Sequence, residues 1–207
     1  MFKIQKLNNL VLVLFFLQST TILTSDLVNS TNHIKTIIFG AGCFWSVEKK
    51  FQETFGVIDV ESGYADGANI KPLYKEIIKR ENRFNPDNYA EVVRVTYNNN
   101  KTNLENLLKT FFEMHDPTQE NRQGNDIGVQ YRSVILTSSQ EEIMLSKKIK
   151  NTYQYLLSEK GYGIIKTNIK KLTNFYLAED YHQDYLKKNP NGYCPDNSTG
   201  IVFSKNP

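Results

Sequence analysis

The stretch TIIFGAGCFWSVEKKFQETFG, residues 36–56, changes character in its middle. Thr36 to Phe39 is a short apolar run of the kind that makes a strand, and Gly40-Ala41-Gly42 breaks it. Beyond the break, Phe44, Val47, Phe51 and Phe55 fall at helical spacing, so a helix begins at or just after Cys43 and Gly56 closes it. A strand, a glycine turn and a helix follow one another, with a cysteine at the junction.

The pattern continues outward without repeats or a long linker. VIDVES (57–62) reads as a strand ending at the turn Gly63-Tyr64-Ala65-Asp66-Gly67, and Asn85-Pro86-Asp87-Asn88 marks a loop before AEVVRVTY (90–97). In that strand Glu91, Val93, Val95 and Tyr97 share one face, which puts Glu91 at the mouth of an apolar surface. Thr102 and Glu105 have capping-box spacing ahead of the stripe Leu104, Leu107, Leu108, Phe111, Phe112, and Asp116-Pro117 stops that helix. The aperiodic polar run 118–130 is a loop. A strand at 131–137, a helix at 139–158, a strand at 164–172 and a last helix at 178–188, halted by Pro190, complete the reading. Strands and helices mixed this way predict a two-layer α/β or α+β domain, and periodicity does not choose between them.

Composition narrows the function. The 207 residues are 40% hydrophobic and 23% charged, which excludes a collagen, a disordered chain and a multi-pass membrane protein. A net charge of +3 is too small for a nucleic-acid footprint, so no nucleic-acid partner is expected. Residues 1–25 combine Lys3 and Lys6, the apolar run Leu10 to Leu17 and a small polar stretch, which reads as a secretory signal peptide, with 26–35 a short leader. The single catalytic domain is then 36–207, with a flexible tail from 189, in a secretory or extracellular location.

Cys43 and Cys194 are the two cysteines, too few for a disulfide scaffold or a four-cysteine zinc site. At a helix start Cys43 meets unpaired N–H groups and the positive end of the helix dipole, which predicts a lowered thiol pKa and a nucleophile. The alternative is a small buried hydrophobe. Cys194, in the Gly- and Pro-containing stretch NGYCPDNSTG, is placed either to resolve a sulfenic acid on Cys43 or to form a permanent disulfide. His33, His115 and His182 are dispersed without metal-ligand spacing; no metal is expected, and each histidine reads as a surface or capping residue.

GCFW after a strand, Tyr74 in PLYKE, Ala90-Glu91 ahead of an apolar strand, HDPT (115–118), RQGNDIGVQYRS (122–133) and FYLAEDYHQDYLKKNPNGYC (175–194) together resemble the peptide methionine sulfoxide reductase A family, in order from about Thr36 to Cys194. Tyr89 stands where the family usually has a histidine, the turn at 64–67 lacks one glycine, and the segment before Glu91 is longer. The resemblance implies an α+β two-layer sandwich, a mixed β-sheet with flanking helices in ferredoxin-like topology. It implies reduction of methionine S-sulfoxide, free or in oxidised proteins, without metal or organic cofactor, by a protein expected to be a monomer. Cys43 would attack sulfur, Glu91 would supply a proton, and Tyr74 and Tyr131 would hydrogen-bond the oxygen. Asp126 would orient the site, while Phe44 and Trp45 would receive the substrate methyl group. Cys194 would resolve the sulfenic acid, and thioredoxin or a similar dithiol reductant would recycle the disulfide. Two other readings compete on the residues alone: a cysteine–histidine hydrolase using His115 or His182, and a disulfide-stabilised binding domain without catalysis.

Overall fold

The computed structural model describes residues 33–203, and the compact unit begins at Thr36. The leader expected over 1–25, and most of 26–35, lie outside the described residues. No helix among the described residues is long and apolar enough to cross a membrane.

A six-stranded sheet is built from β1 (Ile34–Gly40), β2 (Val57–Ala65), β3 (Ala90–Asn98), β6 (Val134–Thr137), β7 (Asn168–Lys171) and β8 (Phe175–Leu177). Their order across the sheet is β7-β6-β1-β3-β2-β8. Pairs β1/β6, β2/β3 and β2/β8 are antiparallel and β6/β7 is parallel, so the sheet is mixed. β3 lies between β1 and β2, the two strands joined through helix α1 (Phe44–Gln52), which makes the split βαβ arrangement of the ferredoxin-like class. The α+β alternative is therefore the correct one.

One sheet face carries the main core. Alternate residues Ile37 and Phe39 of β1, Val93, Val95 and Tyr97 of β3, and Ile135 of β6 meet α1, α3 (Leu104–Glu113) and α4 (Gln140–Ser158). Phe39 stacks on Phe51 of α1 at 4.9 Å and on Phe111 of α3 at 5.0 Å, so one strand residue joins two helices to the sheet. The opposite face holds a smaller cluster around Ile38, Val92 and Val134, with Leu172 and Phe175 against it. Helices thus cover one face, giving two layers.

Several boundaries differ from the sequence reading, each for a physical reason. Helix α1 ends at Gln52, and Phe55 is left exposed rather than completing the apolar stripe. The cap of α3 is Asn103, whose side chain accepts from the Asn106 N–H at 2.9 Å, whereas Thr102 is buried against Gly56, so no Thr102–Glu105 box forms. Tyr131 ends a 3₁₀ turn (129–131) rather than starting β6, which begins at Val134, and β7 covers only 168–171.

The expected helix at 178–188 shrinks to α5 (Tyr185–Lys188). Its amino-terminal part is held by side chains instead. Gln183 accepts from Ser62 N–H and donates to Ser62 and Ala178 carbonyls, completing β2 where β8 stops. Asp184 takes a left-handed conformation, φ 53°, with its N–H on Glu48.

The turn after β2 is also explained. Asp66 adopts φ 57° despite having a side chain, and its carboxylate is held by buried Arg132 and by Lys170. Arg132 further donates to the carbonyls of Asn88 at 3.0 Å and Val129 at 2.8 Å, tying three loops together beneath the site. Tyr89 is buried edge-on to Tyr176 and packs over Gly67, where an added Cβ would meet its ring at 2.5 Å. Ala90 and Glu91 then enter β3 beside it.

Candidate active site

Gly42 has φ +96°, and a Cβ there would lie 2.8 Å from Gln123 Cβ, so the turn before Cys43 requires glycine. That turn puts Cys43 at the N-cap of α1, where its side chain makes no capping hydrogen bond but the Trp45 and Ser46 N–H groups favour its thiolate. β3 brings Glu91 to the same place: its register sets Glu91 opposite Tyr64, and Glu91 Oε2 accepts from Phe44 N–H at 3.2 Å.

These groups line a cavity of about 200 Å³ together with Trp45, Tyr74, Asp126, Tyr131 and Tyr193. Tyr74 opens the short helix α2 (Tyr74–Ile77), Asp126 lies on β5 (Asp126–Ile127) paired with β4 (Arg122–Gln123), and Tyr131 ends the 3₁₀ turn that follows. Seven of the eight sequence-predicted residues thus meet in one cavity. Cys194, the eighth, is exposed and directly follows the cavity-lining Tyr193; both cysteines are free.

Burial decides the protonation of this cavity. Glu91 is 2% exposed, and burial raises its carboxyl to about 8, against the opposing Phe44 N–H and helped by the Asp126 charge. Asp126 is also raised by burial, and the Tyr193 hydroxyl acts in the other direction; its Oδ2 is buried without a partner. The lowered Cys43 pKa expected from the helix start is corrected. The N–H groups of Trp45 and Ser46 do favour the thiolate, but burial and the neighbouring Glu91 and Asp126 carboxylates outweigh them and hold the thiol well above its ordinary value. Tyr74 is pushed up to about 12, first by burial and then by Glu91, and Tyr131 rises further for the same reasons. Both phenols are therefore hydrogen-bond donors over the whole neutral range.

Behind the aromatic wall lies a support that the sequence reading missed. His182 is buried, not a surface residue: its Nδ1 accepts from Trp45 Nε1–H at 3.1 Å, and its ring packs on Phe44 at 4.9 Å and edge-on to Tyr74 at 4.5 Å. Tyr185 stacks on Trp45 at 3.8 Å. Glu179 accepts from Tyr74 N–H at 2.9 Å and from Tyr64 Oη–H at 2.7 Å, fixing the start of α2. The signal for this support lay in AEDYHQDY, whose polar residues serve tertiary contacts rather than a helix face.

His115 is buried as well, between the Phe111 carbonyl at 2.7 Å and Ser133 Oγ at 2.8 Å, and burial lowers it to about 4. No histidine lines the cavity among the described residues. A cysteine–histidine hydrolase would need an imidazole at Cys43, and none is there.

Tyr193, which the sequence offers only as part of the segment ending in Cys194, forms one wall. The tail around it has no regular structure, but it is laid along the domain. Tyr153 Oη donates to the Ile201 carbonyl at 2.7 Å and pairs with Thr199 Oγ1 at 2.9 Å, and Phe203 stacks on Tyr153 at 5.1 Å.

The family model described as peptide methionine sulfoxide reductase matches residues 35–202. The mitochondrial peptide methionine sulfoxide reductase of Homo sapiens is 48% identical over 164 residues, covering 79% of this chain and 68% of its own. MsrA of Corynebacterium kroppenstedtii is 44% identical over 173 residues, 81% of this chain and 76% of its own. Among solved structures, methionine sulfoxide reductase A of Corynebacterium diphtheriae superposes with a TM-score of 0.72 at 39% identity, covering 82% of both chains. Mxr1 of Saccharomyces cerevisiae in complex with Trx2 superposes at 0.51 with 26% identity, covering 74% of this chain and 86% of that one. The chain belongs to the peptide methionine sulfoxide reductase family.

Proposed function

We propose that the protein reduces methionine S-sulfoxide, free or within oxidised proteins, and is recycled by thioredoxin or a similar dithiol. The observation that carries this reading is the placement of buried, protonated Glu91 beside a cysteine at a helix N-terminus, within one aromatic cavity. A sulfoxide needs a nucleophile at sulfur, a proton for oxygen and an apolar seat for methyl. All three chemistries meet there.

The Cys43 sulfur attacks the sulfoxide sulfur as Glu91 protonates the oxygen. Tyr74 and Tyr131 donate to that oxygen and stabilise its charge, while the Trp45 and Ser46 N–H groups stabilise charge on the attacking sulfur. The oxygen then passes from the substrate sulfur to the Cys43 sulfur as the transient S–S bond and the substrate S–O bond break; methionine leaves and Cys43 is left as a sulfenic acid, so the two electrons come from Cys43. The thiol proton returns to Glu91. Phe44 and Trp45 hold the methyl group, a sulfur–aromatic environment worth about 0.3–1.5 kcal/mol. Asp126, with an unpartnered buried oxygen beside Tyr193, orients the substrate or its water.

Cys194 then attacks the oxidised Cys43 sulfur, expelling water and forming a disulfide that an external dithiol reduces. The reported complex of a relative with Trx2 supports a thioredoxin as that dithiol. The protein acts as a monomer. Residues 1–25 act as a targeting segment, for which the basic start and apolar run argue secretion; mitochondrial relatives make the mitochondrion the competing destination. A reporter fused behind residues 1–35 distinguishes these two by where it accumulates.

The activity test is thioredoxin-coupled turnover with each sulfoxide epimer. Consumption of the S form alone, abolished in Cys43→Ser, is expected; inertness toward the S form would refute the proposal.

A further inference from the structure

A second concavity, about 410 Å³, adjoins the catalytic cavity and shares Tyr74, Asp126 and Tyr131 with it. Its outer wall bears two cations, Arg80 and Arg83, and an exposed apolar residue, Ile78. The wall is fixed, since Arg83 Nε donates to the Ile127 carbonyl at 2.8 Å and the Arg83 carbonyl accepts from Val129 N–H at 2.8 Å. Asn88, fully buried, holds the base of the same excursion through the Ile77 and Asn82 carbonyls, both at 2.9 Å.

Neither arginine joins an ion pair among the described residues, and Arg80 has no side-chain hydrogen bond there. The lone carboxylate in the lining is Asp126, at the end shared with the catalytic cavity and itself raised by burial. Two unpaired guanidinium groups along a groove that opens into the reaction cavity complement negative charge on whatever chain enters with the oxidised methionine.

We infer that this groove is a subsite for the peptide flanking the methionine sulfoxide, with Arg80 and Arg83 selecting oxidised methionines that have an Asp or Glu side chain within a residue or two. The inference rests on the reductase reading. An acidic flank pairs with the arginines while methionine sulfoxide reaches Cys43, and a basic flank meets repulsion at the same place. These are exposed charges, so the selection is moderate and screened by salt.

The test compares blocked pentapeptides with central methionine S-sulfoxide and Ala, Asp or Lys at each flanking position, under thioredoxin-coupled turnover. For at least one position, kcat/KM for Asp should exceed that for Lys by about three- to tenfold, chiefly through KM, and added salt should shrink the ratio. Arg80→Glu, which breaks no hydrogen bond of the fold, should bring the ratio to one or below. The double variant Arg80→Ala, Arg83→Ala should also lose it. Because each ratio is taken within one protein preparation, partial loss of folding cancels. Equal turnover of Asp and Lys peptides by the unmodified protein, or a ratio that survives Arg80→Glu, would overturn the subsite while leaving the reductase reading intact. Turnover of free methionine S-sulfoxide but of no peptide would overturn the subsite alone, and turnover of neither would overturn both.

Discussion

Glu91→Gln separates the two consequences of burying a carboxyl beside the nucleophile. Glutamine has nearly the same shape, its side-chain oxygen still accepts from Phe44 N–H, and it carries no charge at any pH. Glu91 has its carboxyl at about 8 in the folded protein against a reference of 4.5. The folded state therefore binds its proton more tightly than the unfolded chain. The resulting stabilisation is complete below about pH 4.5 and is lost as pH rises through about 8. That difference corresponds to about 5 kcal/mol in full, of which about 4 kcal/mol falls between about pH 5 and pH 9 and about 1 kcal/mol between about pH 7 and pH 9. Urea unfolding of both proteins at these pH values reads it directly. Stability of the unmodified protein should fall relative to Glu91→Gln by an amount of that order, so the variant becomes the more stable protein in alkali. A constant difference between the two across the range would refute the argument, since Glu91 would then ionise at its ordinary pH. The same substitution should cut turnover by about 10²–10⁴-fold, the usual worth of a general acid.

The reductase step, followed as methionine released in one turnover, should decline above about pH 8 as Glu91 loses its proton, and the decline should be absent from the residual rate of Glu91→Gln. Phe39→Ala, which removes the ring shared by Phe51 and Phe111, should cost about 3–5 kcal/mol by urea unfolding. Asn103→Ala should cost about 1 kcal/mol through loss of the cap of α3, while Glu105→Ala should change stability by less than that; the reverse order would restore the Thr102–Glu105 box. Tyr153→Phe removes the hydroxyl that holds Thr199 and Ile201, and should slow disulfide formation between Cys43 and Cys194 after one turnover while leaving methionine release unaffected.

What was legible in the sequence follows from periodicity. The alternation of β3 put Glu91 at the mouth of the apolar face, where it lies, and the glycines before Cys43 placed it at the start of α1. Local pattern did not carry the balance at Cys43, because the fold buries its sulfur and brings Glu91 and Asp126 from distant segments, and burial first, then these carboxylates, reverse the effect of the helix N-terminus. The segment 178–184 failed for a related reason. Its helical pattern is overridden when Glu179, His182 and Gln183 each find a tertiary partner, and only the fold reveals that Tyr74, Trp45 and Ser62 are those partners. Tyr193 lacked any periodic context, so its place in the cavity wall depends on how the tail is laid back over the domain.

The central claim is that Cys43 takes the oxygen of a methionine S-sulfoxide and that Cys194 removes it. Cys194→Ser, mixed with excess methionine S-sulfoxide in the absence of any dithiol, should release one methionine per protein. Mass analysis should then find one added oxygen on the peptide containing Cys43, trappable by a sulfenic-acid reagent. Release of no methionine, or an oxidised residue other than Cys43, would contradict the account.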